Sequence, residues 1–172
     1  MEGIAHRDQL TGLPNREALI RYFEKIKVKE ITEESIYTFY YLDLDGFKLI
    51  NDTYGHDSGD LMLKEVSKRL NINAREDVFV ARMGGDEFIV ITNSNSDEPI
   101  KDSINFANIL IEEINKPYII QGKTMNVGCS IGGAFYPNHS KNPIDAIKLS
   151  DEYLYKSKSA GKNRYTYAKL KD

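Results

Sequence analysis

The chain has 172 residues, 41% hydrophobic and 28% charged, with a formal net charge of −3. Residues 1–172 therefore read as one ordinary globular domain with its own core, and no global field draws it to DNA, RNA or an anionic membrane. Its single cysteine, Cys129, excludes an internal disulfide and a cysteine-built zinc site. No apolar stretch approaches the ~20 residues that cross a bilayer, and Met1 to Asp8 is too polar for a signal peptide. The cytoplasm is the expected compartment.

The first segment, Asp8 to Arg16, is rich in turn formers and ends on Asn15, a helix N-cap candidate with Glu17 in the first turn. Leu19, Phe23 and Ile26 share one face of the helix that follows. Glu33 to Ser35 is a polar break. Ile36 to Leu44, rich in Tyr and Phe, reads as a buried strand. It runs into Asp43-Leu44-Asp45-Gly46-Phe47-Lys48. Asp43 and Asp45 are two apart, so both face one side if the strand persists. Acids at the end of an apolar strand are costly unless paired or bound to a cation. Asp45 is equally a cap for a short helix over Phe47 to Asp52 or a ligand; Asp43 is harder to explain as a cap.

Asn51 to Asp60 leads into a helix with the apolar stripe Met62, Leu63, Val66 and Leu70, with Gly59 on the same face. Asp60 is either a first-turn acid favoured by the helix dipole or, with Asn51 and His56, the lining of a polar pocket. His56 alone reads as a surface histidine. Asn71 to Asp77 is a loop. Two apolar runs, Val78 to Ala81 and Phe88 to Ile91, then flank Gly84-Gly85, a β-hairpin pattern. Asp86 and Glu87 follow at once; if they continue the strand, their side chains point to opposite faces. Acids beside a bare Gly-Gly turn suit Mg²⁺ and a phosphorylated ligand, or are solvated acids on a surface hairpin.

Asn93 to Pro99 is a polar loop. Ile104, Ala107, Ile111 and Ile114 mark a helix that Pro117 ends. Tyr118 to Ile120 is a short strand, Gln121-Gly122-Lys123 a turn, and Met125 to Phe135 a long strand. Pro143 suits the first turn of a last helix to about Ala160, closed by Gly161. Lys158, Lys162 and Arg164 cluster at its end, as cations favoured by the helix C-terminus or as a grip on a triphosphate. Arg164 to Ala168 reads as a final strand. The order of elements implies an α/β or α+β sandwich, a sheet flanked by helices. If the first strand neighbours the hairpin, Asp43 meets Asp86, and two carboxylates holding Mg²⁺ over a glycine turn are equipment for phosphoryl transfer.

Arg82-Met83-Gly84-Gly85-Asp86-Glu87-Phe88 resembles the signature of the GGDEF domains, the diguanylate cyclases of bacteria. Asp8 to Arg16 is similar to that family's opening motif. Asp43 to Asp52 with Gly55 to Asp60 is similar to its central motif, and Asp151 to Arg164 to its closing one. The likeness runs in order from Asp8 to Arg164. It implies a mostly antiparallel central sheet like that of nucleotidyl cyclases and polymerase palms, with the active site on the β-hairpin. It also implies that two GTP molecules, one per domain of a face-to-face homodimer, condense to cyclic di-GMP and two pyrophosphates. In that pattern Asp43, the Leu44 carbonyl, Asp86 and Glu87 serve Mg²⁺, with Mn²⁺ as a substitute. Asp86, Glu87 and Lys48 form the catalytic set. Asp86 is usually proposed as the base, although a ligating carboxylate does not freely take a proton. Phe47 and Lys48 lie along the phosphates, and Gly84 and Gly85 let them approach. Asn51 and Asp60 read the guanine edge beside His56, and Lys158 and Lys162 hold the terminal phosphates.

The chain also departs from the family pattern. The product-inhibition site is an Arg-x-x-Asp before the hairpin; here Arg75 is present, Val78 takes the aspartate position, and Asp77 is one residue early, a slip that turns its side chain away on a strand. Weak or absent inhibition is expected. Gly46 stands for a larger residue, and Tyr153 and Ser157 stand for alanines, with packing adjustments expected. Lys162 stands for arginine, which keeps charge and loses the bidentate fork. Family members are usually output domains of larger signalling proteins, some tethered to membrane sensors. The expectation is such an output domain, mainly monomeric alone and active on encounter. The alternative is a catalytically silent GTP-binding module of the same fold.

Overall fold

The computed structural model describes residues 6–32, 35–75 and 77–170. Most of the polar break at Glu33 to Ser35, and Met1 to Ala5 of the polar N-terminus, lie outside them. Helix α1 is Arg16–Thr32, strand β1 Ile36–Asp45, helix α2 Phe47–Tyr54 and helix α3 His56–Ile72. The hairpin is β2 Phe79–Gly84 and β3 Glu87–Ser94. Helix α4 is Pro99–Asn115, followed by β4 Tyr118–Ile120, β5 Lys123–Met125 and β6 Gly128–Tyr136. Helix α5 is Pro143–Ser159 and β7 is Tyr165–Tyr167.

Among the described residues, one sheet has the order β2-β3-β1-β6-β7, and β4-β5 form a separate hairpin. All pairings in the larger sheet are antiparallel except β6 with β7. β1 is the middle strand with helices on both faces, which explains its nearly unbroken run of large apolar residues. Phe39 and Tyr41 pack with Leu19, Phe23 and Ile26 of α1 and Leu154 of α5 on one face. Tyr40, Leu42 and Leu44 pack with Met62, Val66 and Leu70 of α3 and Leu110 and Ile114 of α4 on the other. No helix among the described residues is long and apolar enough to cross a membrane.

Asn15 caps α1, its Oδ1 accepting from Ala18 N at 3.0 Å. Asn142 caps α5, accepting from Ile144 N at 3.1 Å. Three expectations change. The run over Met125 to Phe135 is two strands, broken between β5 and β6, because β5 leaves the main sheet to pair with β4. The α3 helix begins at His56, so its first-turn acid is Asp57 and Asp60 lies a turn further on. Asp45 is not a cap: Gly46, in the left-handed region at φ 84°, starts α2, and the β1 ladder continues through Asp45.

Candidate active site

Antiparallel pairing of β1 with β3 sets Asp43 directly opposite Glu87, and Leu44 N donates to Asp86 O at 3.3 Å. The two-residue hairpin turn is Gly85-Asp86 rather than Gly84-Gly85, since Gly84 pairs with Glu87. Both glycines have positive φ, 136° and 50°, and nothing lies within 4 Å of a Cβ built on either, so the turn is bare on its outer side. Because Asp86 sits in the turn, strand alternation does not separate it from Glu87. Asp86 acts on Asp43, and Asp43 in turn acts on Glu87.

Burial, then the shared hydrogen bond and charge of Asp86, push the Asp43 carboxyl up to about 6. Its buried Oδ1 has no donor among the described residues. Glu87 is also raised, by burial and the field of Asp43, against a hydrogen bond from Tyr41. Asp151 of α5 is raised by burial and the same field. Such crowding of acids calls for a cation. No three His, Cys, Asp or Glu side chains among the described residues close into a cage. Two carboxylates and a backbone carbonyl fit Mg²⁺, which takes few protein ligands and completes its shell with water and phosphate. Asp43, Asp86 and the Leu44 carbonyl, with Glu87 next in sequence, are the groups that could hold it.

Lys158, at the end of α5, supplies the nearest positive charge: Nζ lies 2.9 Å from Asp45 Oδ1 and 3.4 Å from Asp43 Oδ2. Burial opposes its charge, but hydrogen bonds and the field of Asp45 and Asp43 raise its pKa. Lys162 is exposed beyond the helix, its N donating to Ser157 O at 2.9 Å. The Phe47 ring is half-buried against the core, and Lys48 is exposed on the first turn of α2.

Helices α2 and α3 bring Asn51 and Gly59 together. A Cβ on Gly59 would stand 1.8 Å from Asn51 Oδ1, so the glycine makes room for the amide. Asp60, next in sequence, and His56 are exposed on the first turns of α3. Arg75, Asp77 and Val78 line a groove of about 490 Å³ on the far side of the hairpin. Asp77 precedes β2, where Val78 N donates to Arg75 O at 3.0 Å, and it borders this groove and the neighbouring surface beside Tyr22 and Phe79.

Sequence reasoning gave no role to Arg82. Nη1 donates to Asp8 Oδ1 and Oδ2 at 2.9 and 3.0 Å, while Nε and Nη2 donate to the Gly85 carbonyl at 3.1 and 2.8 Å. Arg82 N also donates to Pro14 O at 3.0 Å. The opening segment is thus tied to the hairpin turn, a link that no local pattern announces.

Residues 5–164 match the family model for the diguanylate cyclase GGDEF domain. The chain belongs to the GGDEF domain family. It is 36% identical over 164 residues to the bifunctional diguanylate cyclase/cyclic di-GMP phosphodiesterase MucR of Pseudomonas aeruginosa, covering 95% of this chain and 24% of MucR. The chain spans only part of the length of these relatives, 24% of MucR and 20% of the Bacillus subtilis signaling protein YkoW. The GGDEF domain of YfiN (TpbB) from Pseudomonas aeruginosa superposes with a TM-score of 0.88 at 30% identity, covering 96% of this chain and 95% of that one. The GGDEF domain of DgcB from Caulobacter crescentus, solved with c-di-GMP, gives a TM-score of 0.85 at 26% identity, covering 95% of each chain. The sheet flanked by helices is the architecture shared with these structures.

Proposed function

We propose that this GGDEF domain is a diguanylate cyclase, condensing two GTP into cyclic di-GMP and two pyrophosphates across a transient face-to-face homodimer. The observation that carries the proposal is Asp43, half-buried with one buried oxygen that accepts no hydrogen bond among the described residues, and raised to about 6 beside Asp86 at a bare glycine turn. Two neighbouring carboxylates stay ionised together only where a cation offsets their charge. Bound Mg²⁺ or Mn²⁺ would screen the phosphate charge and lower the 3′-hydroxyl pKa.

The chain's own groups do the rest. Gly84 and Gly85 leave space for the phosphates to approach the turn. Asn51 and Asp60 take the guanine edge: a carboxylate accepts from N1–H and the exocyclic amine, a donor pair that adenine lacks. His56 lines the same pocket. Phe47 and Lys48 border the phosphates, with Lys48 stabilising developing charge. Lys158 and Lys162 hold the terminal phosphates; for Lys158 this means leaving Asp43 as the triphosphate arrives. Asp86 and Glu87 orient the reacting centre. One domain holds one GTP, so catalysis requires a second domain presenting its own. The domain is the output unit of a signalling protein.

A catalytically silent GTP-binding module is the second reading, and one observation favours it: Lys158 already neutralises Asp43 and Asp45. Incubation of concentrated protein with GTP and Mg²⁺, followed by chromatography, separates the two. Cyclic di-GMP from the unaltered chain and none from Asp86→Ala supports the cyclase. No product, with a melting temperature still raised by GTP and Mg²⁺, supports the silent module.

A further inference from the structure

Asp45 does none of the work assigned above, yet it is among the best-bonded side chains near the site. Its side chain is only 10% exposed. It accepts from Ser130 Oγ at 2.8 and 2.9 Å, from Lys158 Nζ at 2.9 Å and from Asn163 N at 2.9 Å. Those donors come from β6, α5 and the turn after α5.

That turn is strained. Lys162 and Asn163 stand in succession at φ 65° and 51°, after Gly161 at φ 124°. Two consecutive non-glycine residues in the left-handed region are costly and persist only where the surroundings fix them. Here the fixing bonds are visible. Asn163 N reaches both Asp45 Oδ2 and Ser130 Oγ, the latter at 3.1 Å. Asn163 Oδ1 accepts from Cys129 N at 3.1 Å and Asn115 Nδ2 at 2.8 Å. The strained pair therefore hangs from a buried carboxylate and the start of β6.

We infer that Asp45 is a positioning residue that sets both lysines of the phosphate grip, Lys158 by direct ion pairing and Lys162 through the backbone of the Lys162-Asn163 turn. This rests on the proposed GTP site. Asp45 holds Lys158 close to the acids with its charge intact, and fixes where Lys162 leaves the helix. A residue that only supported the fold would affect base and phosphate binding alike. Asp45 should affect the phosphate end alone.

The test compares binding of 3′-deoxy-GTP, which lacks the attacking hydroxyl and is not consumed, with binding of GMP, both with Mg²⁺. In the unaltered chain the triphosphate should bind more tightly. Asp45→Asn, close to isosteric, should shrink that preference about tenfold while leaving GMP affinity within about twofold, as loss of a charge-assisted bond predicts. Ser130→Ala removes one donor to Asp45 and keeps its charge; it should shrink the preference about threefold, and it decides the matter if Asp45→Asn does not fold. A preference retained in the folded variants overturns the role of Asp45 and leaves the GTP site standing. Equal weakening of GMP and triphosphate makes Asp45 a fold residue and also overturns it. No triphosphate preference in the unaltered chain overturns the GTP site and this inference together.

Discussion

Arg82 grips Asp8 with Nη1 and the Gly85 carbonyl with Nε and Nη2, so the opening segment and the hairpin turn share one guanidinium. The two side chains are 12% and 18% exposed, so water weakens the pair little. Arg82→Ala should destabilise the domain by about 2 kcal/mol, roughly 4–8 °C in melting temperature for a domain of this size. Arg82→Lys keeps the charge but not the fork, so it cannot serve both partners. It should lose more activity than stability. Thermal melts beside product assays check both.

The same pair has a signature in acid. Burial alone would raise the Asp8 carboxyl, but hydrogen bonds from Thr11, then Arg82, outweigh it and hold the group below its ordinary value of 3.8. A depressed acid stabilises the fold above its unfolded pKa, and that contribution is lost as pH falls through the folded value. Asp8→Asn should therefore cost stability at pH 7 and progressively less below about pH 4. Urea unfolding at both pH values checks it.

Asp43 has the opposite sign. Its folded pKa of about 6 lies above the ordinary 3.8, so the folded state holds the proton more tightly. Without a cation, stability should fall as pH rises from about 4 to 6, by on the order of 2 kcal/mol after solvent screening. A bound cation favours the ionised form and removes the penalty. The rise in melting temperature given by GTP with Mg²⁺ should therefore be larger at pH 7.5 than at pH 5. Equal shifts at both values would show that Asp43 does not serve the metal.

Gly59→Ala separates stability from recognition. A Cβ there displaces the Asn51 amide, 1.8 Å away. Alanine in a helix interior gains up to about 1 kcal/mol over glycine, so the melting temperature should hold or rise. GTP affinity should fall about tenfold, the loss of one good hydrogen bond to the base. Titration of the variant with GTP and ATP checks whether selectivity falls with it.

Feedback is a separate matter from catalysis. Val78 and Arg75 line one groove, so a carboxylate at position 78 would face the guanidinium across it. Val78→Asp should lower the cyclic di-GMP concentration that half-inhibits the domain by about tenfold, the value of a charge-assisted contact. Inhibition curves for the two chains check it.

Much of the fold was legible because its signals are local. Asn15 caps its helix, Pro143 opens α5, Pro117 follows the end of α4, and the Tyr-rich run of β1 is buried on both faces. Periodicity failed at β5, where a strand leaves one sheet for a partner in another. The site's acids and lysines were readable as motif residues. Their supports were not: Arg82 reaches 74 positions back to Asp8, and Lys158 113 back to Asp45. Only the folded sheet brings such distant partners together.

The most direct test is the initial rate of cyclic di-GMP formation against protein concentration, with GTP and Mg²⁺ in excess. If one domain holds one GTP and two domains must meet, the rate should rise with the square of concentration while encounters are rare. A rate that rises linearly over the whole range, or no product at any concentration, would contradict a site shared between two copies.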